Sequence, residues 1–457
     1  MDLIEKLTKY IEESCKIDTE LFKKYDVKRG LRNQDHTGVL VGLTNIGDVI
    51  GYQMQNDNPV PVEGRLYYRG VEVKEIVKGF QAEKRHGFEE VVYLLLTGEL
   101  PSSEDLNQFT AYLSSRRELP MYFKNMILSI QGKDLMNMLA RSVLILYTLD
   151  EKAEDKSYSN LVAPSLDLIA KFPLFIAYAY HGMRHSYQGK TLSIRHSRPE
   201  LSIAENFLYL IKGRNSYTKL DADILDLALV LHAEHGGGNN SSFTIRVTSS
   251  TGTDTYSAIS SAIGSLKGTL HGGANLKVLD MMNHIKTHVK NWEDEHEIAK
   301  YLRKIVDKEV YDKSGKIYGI GHAVYTYSDP RTVLLKQKAQ ELAQEKGKMK
   351  EFKLYDLIEK LAPKVINEAK GSRMHKILCA NVDFYSGFVY TCIGIPKELY
   401  TPLFAMARVT GWCAHRLEEL DFKTKRIIRP AYKNVYPRQD YKPLHERSGW
   451  SISKPVK

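Results

Sequence analysis

Between Asp254 and Lys267 the chain carries no charge, and small residues fill most positions: Ser257, Ala258, Ser260, Ser261, Ala262, Gly264 and Ser265. Tyr256, Ile259, Ile263 and Leu266 recur at helical spacing on one face. A helix with so little bulk lets neighbouring backbones approach closely, which places it deep inside a helical fold or at a subunit contact. It runs directly into Leu270-His-Gly-Gly-Ala-Asn275. Gly272 and Gly273 permit a sharp turn, and Asn275 is suited to cap a helix beginning at Leu276. His271 then sits near a helix N-terminus, whose dipole disfavours imidazolium. A neutral imidazole there donates a hydrogen bond to a developing oxyanion.

Helical patterns dominate the rest. Phe88–Thr97 is a strongly apolar helix that Gly98 caps and Pro101 stops. Ser102 and Asp105 have capping-box spacing for the next helix, expected to run to about Glu118. Residues 3–24 carry helical periodicity broken near Ile17. Strand signals concentrate near the N-terminus, where Val39–Leu43 and Asp48–Tyr52 flank Asn45-Ile-Gly47 as a hairpin and Leu66–Arg69 adds a strand. The expected class is mainly α with a small N-terminal β element. Residues 291–318 are charged and partly loop-like, and the stretch after Pro437 is polar and extended or disordered.

At 457 residues the chain can bury a large core, as two domains or one with a sizeable insertion. With 43% hydrophobic and 26% charged residues it has an ordinary globular composition. No apolar run approaches the length of a membrane span. Asp2, Glu5, Glu12 and Glu13 are out of place in a transit peptide, so a cytoplasmic protein is expected, with no membrane partner. Cys15, Cys379, Cys392 and Cys413 form no CxxC pair and are expected to be buried, reduced thiols. The net charge of +10 suits anionic substrates. The basic residues are scattered and no nucleic-acid module is recognisable, so nucleic acid is not expected as a partner.

Several polar residues stand in glycine- or proline-punctuated segments. In His232-Ala-Glu-His-Gly-Gly-Gly238 the two histidines are three apart, as if on one helix face, which raises a metal site. The motif is not HExxH and has no third ligand cluster, so no metal is expected. His235 is expected to end its helix and point into a cleft, and His232 to be structural. His322 lies between Gly319-Ile-Gly321 and Tyr325-Thr-Tyr-Ser-Asp-Pro-Arg331. Arg331, at that turn, has the planar fork that grips a carboxylate. Asp383, flanked by Val382, Phe384 and Tyr385, is either a desolvated base, the N-cap of a helix over 384–393, or both. Arg408 is a lone charge on an apolar helix and needs an anion or hydrogen-bond partners. Arg429-Pro430 is a weak signal alone. Taken singly, the histidines fit turn and cap roles and the arginines fit ion pairs. Together they are what carbon–carbon bond formation on a polycarboxylate requires.

Phe88-Glu-Glu-Val-Val-Tyr-Leu-Leu-Leu-Thr-Gly-Glu-Leu-Pro101, His232-Ala-Glu-His235, Leu270-His-Gly-Gly-Ala-Asn275, Gly321-His-Ala-Val324, Asp329-Pro-Arg331, Asn381-Val-Asp383 and Arg429-Pro430, in this order and spacing, closely resemble citrate synthase from about residue 36 onward. The resemblance implies a two-domain helical homodimer with the active site in a cleft. Its implied divisions are an N-terminal extension (1–35), a large domain (36–275 and 383–440), a small domain (276–382) and a C-terminal tail (441–457). It further implies Asp383 as the base on acetyl-CoA, His271 as the enolate's donor, and His322 as the group that polarises the ketone of oxaloacetate and protonates the alkoxide. His235, Arg331 and Arg408 would hold oxaloacetate, joined by Arg429 from the partner subunit. Gly319, Ile320 and Gly321 would recognise the adenine of CoA, and no cofactor would be needed. The same machinery with propionyl-CoA, as in 2-methylcitrate synthase, is the alternative. A non-catalytic binding protein on the same scaffold, or a zinc enzyme using His232 and His235, would be of a different class.

Overall fold

The computed structural model describes residues 2–33, 37–56, 58–369, 377–424 and 426–447. Of the expected C-terminal tail, 448–457 lies outside these residues, as do 1, 34 and 35 of the N-terminal extension and the large domain's first position, 36. The described residues hold 18 α-helices and one three-stranded sheet, so the fold is mainly α. They form two compact units, Met1–Gly42 with Arg429–Lys457, and Leu43–Ile428.

In the smaller unit, helices Leu3–Ser14 and Glu20–Lys24 are separated near Ile17. Leu3, Ile4, Leu7 and Ile11 are exposed along the first of them, and so is Cys15 at its C-terminal end, contrary to the expectation of a buried thiol. Lys433, from the C-terminal stretch, stacks over the ring of Tyr25 at 5.6 Å.

The larger unit is organised around helix Tyr400–Asp421, buried from Tyr400 through Leu417. A helix that is apolar on every side is stable only inside other helices. Its neighbours include Lys219–His232, Asn240–Ser250, Thr255–Lys267 and Tyr158–Gln188. Helix Thr255–Lys267 is the small-residue segment. Asp254 caps it by accepting from the Ser257 amide at 2.8 Å, and Tyr256, Ile259, Ile263 and Leu266 are buried. Helix Phe88–Thr97 ends on Gly98 in the left-handed conformation, φ 94°. The Ser102–Asp105 capping box opens helix Ser103–Ser115, which stops short of Glu118.

Three local expectations need correction. First, the hairpin pairs β1 (Gly47–Gln55) with β2 (Asn58–Tyr68), and β2 with β3 (Val71–Glu72). The reversal falls beside Asn56, φ 49°, and not at Asn45-Ile-Gly47. Val39–Leu43 is no strand, because it finds no partner edge along its length, whereas 47–55 pairs nearly throughout with β2. Second, the helix after His271 is Ala274–His288, capped at Gly273, and Asn275 lies buried inside its first turn. The Gly272 amide bonds to Leu266 O at 2.9 Å, winding the turn tightly enough for the helix to start two residues early. Third, helix Tyr158–Gln188 is long and apolar enough to cross a membrane by length and composition, although it is mostly buried in the protein. Polar residues such as Lys171 and His181 punctuate its apolar stretch, which is why the segment does not read as a long apolar run in the sequence.

Candidate active site

His235 lies past the end of helix Lys219–His232, so it does not share a helix face with His232. The helix stops because the next residues are claimed by other elements. The Tyr68 hydroxyl on β2 lies 2.9 Å from Val230 O and 3.1 Å from Glu234 O. His415 Nε2 lies 2.9 Å from the buried Glu234 carboxylate and donates to it, since His415 Nδ1 accepts from Arg246 at 2.7 Å. Gly411 has to be glycine, because a Cβ there would strike Glu234 Oε2. The chain is thus pinned one residue before His235. The ring of His235 packs edge-on against His322, centroids 5.3 Å apart, and against Tyr325 at 5.5 Å. Its Nε2 is buried and has no partner among the described residues. Burial, followed by the charges of Arg331, His322 and Arg408, keeps this imidazole neutral far below its ordinary range.

The loop carrying His322 lies flat on the hairpin. A Cβ at Gly51 would collide with the Val324 carbonyl, and one at Gly64 with that of Ser328. The missing side chains let the loop backbone touch the sheet. His322 Nδ1 accepts from the amides of Val324 at 2.9 Å and Tyr325 at 3.0 Å. A nitrogen that accepts carries no hydrogen, so the ring proton resides on Nε2, which becomes a donor. Arg331 is buried and held bidentately by Asp329, Nε–Oδ1 3.0 Å and Nη2–Oδ2 2.7 Å. It is therefore neither a surface arginine nor an open fork.

Asp383 reaches the same place through backbone pairing. Ile320 and Ala380 form an antiparallel bridge. Gly321 N bonds to Cys379 O at 2.7 Å and Asn381 N to Gly319 O at 2.9 Å. Gly319 takes φ 81°, and a Cβ there would press on Phe384 at 2.7 Å, so the 319–321 loop and the start of helix Asp383–Ile393 are in contact. The Asn381 side chain joins both segments, donating to Gly321 O at 3.0 Å and accepting from Asp383 N at 3.1 Å. Asp383 is the first residue of that helix, and Val382 stands at its N-cap. Burial pushes its carboxyl up to about 6, with Arg331 and Arg408 pulling the other way and Asp329 adding to the rise.

Arg408 is wholly buried on helix Tyr400–Asp421. Its Nε donates to His232 O at 2.7 Å, while Nη1 and Nη2 have no partner among the described residues. Burial lowers its pKa to about 10. Phe404, one turn earlier, lies 4.9 Å from the guanidinium carbon, 4.7 Å from the His232 ring and 6.2 Å from that of His271. His232 itself is structural, with Nδ1 2.7 Å from Ala228 O. His271 is held through Nε2, 3.2 Å from Ser241 Oγ. Burial, then the nearby Arg408, lowers its pKa to about 4, so the ring is neutral near pH 7.

His235, His322, Arg331, Arg408, Asp383 and His271 therefore belong to one electrostatic neighbourhood, with the 319–321 loop at its edge. Arg429 is exposed in the smaller unit and is described only there. Nothing local marks Phe404, Ser241, Tyr68, Gly51 or Gly64 as part of the site, because their roles depend on contacts between residues far apart in the chain, whereas Asp329 and Asn381 stood inside quoted motifs. The site is chemically incomplete at Arg408, whose buried unpaired charge costs stability unless an anion fills the space. In an Arg408→Leu variant, dicarboxylate affinity by calorimetry is expected to fall ~10–100-fold, the worth of one or two charge-assisted hydrogen bonds. The Tm of the free protein should not fall.

The family model described as citrate synthase, C-terminal domain, matches residues 35–431. The citrate synthase of Deinococcus radiodurans is 39% identical over 369 residues, covering 80% of this chain and 89% of the relative. The 2-methylcitrate synthase of Shewanella oneidensis is 34% identical over 377 residues, covering 82% and 90%. Among solved structures, the Thermoplasma acidophilum citrate synthase in ternary complex with carboxymethyl coenzyme A and oxaloacetate superposes with a TM-score of 0.74 at 27% identity, covering 92% of this chain and 99% of that one.

Proposed function

Because the chain belongs to the citrate synthase family and is a condensing acyltransferase, we propose that it joins acetyl-CoA to oxaloacetate and hydrolyses the resulting thioester to citrate and CoA. Asp383 takes a proton from the acetyl methyl group. The electron pair moves onto the thioester oxygen, and a hydrogen bond from His271 stabilises that enolate. The enolate carbon attacks the ketone carbon of oxaloacetate, and the new alkoxide takes its proton from His322 Nε2. Water then cleaves the citryl thioester and releases the CoA thiol. Oxaloacetate is held by Arg408 and His235, with Arg331 and, from a partner subunit of a homodimer, Arg429. Gly319, Ile320 and Gly321 receive the adenine of CoA, and a small domain over 276–382 closes on the large domain once the dicarboxylate is seated. The reaction as written uses no metal and no cofactor.

This proposal is supported by the unmet hydrogen bonding of Arg408 Nη1 and Nη2, buried charged donors suited to a small anion, and of the buried His235 Nε2, beside a carboxylate raised to about 6. Propionyl-CoA, giving 2-methylcitrate, is the alternative acyl donor. Thiol release from acetyl-CoA and from propionyl-CoA, each with and without oxaloacetate, tests the assignment. Oxaloacetate-dependent release is expected, with the higher kcat/KM for acetyl-CoA. A higher value for propionyl-CoA would make 2-methylcitrate the product, and no release from either would refute the assignment.

A further inference from the structure

Tyr325 takes no part in the chemistry above, yet its ring lies against two of the site's imidazoles. It is stacked on His322, with centroids 4.6 Å apart and planes inclined by 30°, and it meets His235 at 5.5 Å and 73°. The Val324 and Tyr325 amides reach His322 Nδ1 at 2.9 Å and 3.0 Å. Bonds to that one in-plane atom decide which nitrogen carries the proton. They do not fix the tilt of the ring about the line from Cβ to Nδ1, and that tilt aims Nε2. A flat neighbour stacked on the ring face fixes it. Tyr325 is itself seated on the hairpin. A Cβ at Gly51 would lie 3.0 Å from its Cα, and one at Gly64 would lie 2.8 Å from its Cδ1. Its side chain is buried, and its hydroxyl donates to Arg65 O at 3.4 Å, long for an O–H···O bond. The hydroxyl is therefore a weak tether, whereas the ring touches β2 and the His322 imidazole at once.

The geometry points to Tyr325 as a positioning residue that, through its ring and not its hydroxyl, sets the plane of His322 and so the direction of the Nε2–H bond. This rests on the reading of His322 as the group that polarises the ketone and protonates the alkoxide.

Tyr325→Phe keeps the ring, and Tyr325→Leu replaces it with an apolar chain that has no flat face. Tyr325→Met, with a flexible chain that fills irregular space, makes the same test should the leucine variant fold poorly. His322→Leu, which has no donor, tests the underlying reading. The readouts are the 13C NMR signal of the keto carbon of bound oxaloacetate, which moves downfield as a hydrogen bond polarises the carbonyl, together with kcat, the oxaloacetate dissociation constant and Tm. In wild type and Tyr325→Phe the signal should lie downfield of that of the free keto acid, with nearly equal kcat. In Tyr325→Leu and Tyr325→Met it is expected to return toward the free position, and kcat to fall ~100-fold, the scale of a ~1 Å misplacement. The dissociation constant should rise by much less, because Arg408 and Arg331 are untouched. A merely structural tyrosine would lower Tm and leave the carbonyl signal in place. That result, or a loss in Tyr325→Phe as large as in Tyr325→Leu, would overturn the inference. In His322→Leu the downfield shift should vanish. If it persisted there, His322 would not polarise the ketone, and the inference would fall with that reading. A shift lost in His322→Leu but kept in Tyr325→Leu and Tyr325→Met would overturn the inference alone.

Discussion

Replacing Asp383 with asparagine is expected to lower kcat by ~1,000-fold or more while oxaloacetate binding persists, because the variant keeps Arg408 and His235 but loses its general base. The side chain works as a base only when ionised. Burial holds its pKa at about 6, so wild-type kcat/KM for the acyl thioester should fall as pH drops below about 6. The stability consequence runs opposite to that of a salt-bridged aspartate. The folded protein binds this proton more tightly than the unfolded chain, whose model value is 3.8. Stability from this group is therefore highest at low pH, declines as pH rises from about 3.8 to about 6, and remains reduced above that. Asparagine removes the cost, so Asp383→Asn should melt at a higher temperature than wild type at pH 7.5 while being nearly inactive. A calorimetric scan and an initial-rate assay on one preparation check both halves.

Replacing His271 with alanine is expected to cost ~2.7–4 kcal/mol of barrier, or ~100–1,000-fold in kcat, the range for losing one oxyanion donor. Its pH signature should differ from that of Asp383. Burial and Arg408 lower the imidazole's pKa to about 4, so the ring does not change charge between pH 5 and 8. The acid limb near pH 6 should therefore survive in the residual activity of His271→Ala. Loss of that limb would mean that His271, and not Asp383, titrates there. The fold should tolerate the change, because the ring is only partly buried and its one protein hydrogen bond, to Ser241, leaves that serine with Trp412 and Asn239.

The sequence showed most clearly what is local. The small-residue helix, the capping box at Ser102 and the glycine stop at Gly98 are encoded within a few residues of where they act, and each appears as expected. The helix before His235 was misjudged for the converse reason. Nothing within that segment shows that Tyr68, far upstream, and His415, far downstream, claim Glu234 and stop the helix early. Asn275 had the chemistry of a cap and lost the position to a tighter turn. The hairpin was placed too far toward the N-terminus because Val39–Leu43 is an apolar, strand-like run but has no partner edge, a property of the sheet and not of the strand. Arg408 could be singled out because a charge on an all-apolar helix is anomalous in sequence alone. Phe404, on the same helix, is one apolar residue among many until its three neighbours are known.

The central claim is that the carboxylate of Asp383 removes a carbon-bound proton with His271 quenching the charge that appears. Deuterium uptake into the methyl group of acetyl-CoA, followed by proton NMR in D2O with a non-condensing dicarboxylate in place of oxaloacetate, isolates that step. The wild-type protein should catalyse the uptake, and Asp383→Asn and His271→Ala should both suppress it strongly. Wild-type rates of exchange in Asp383→Asn would contradict the account outright.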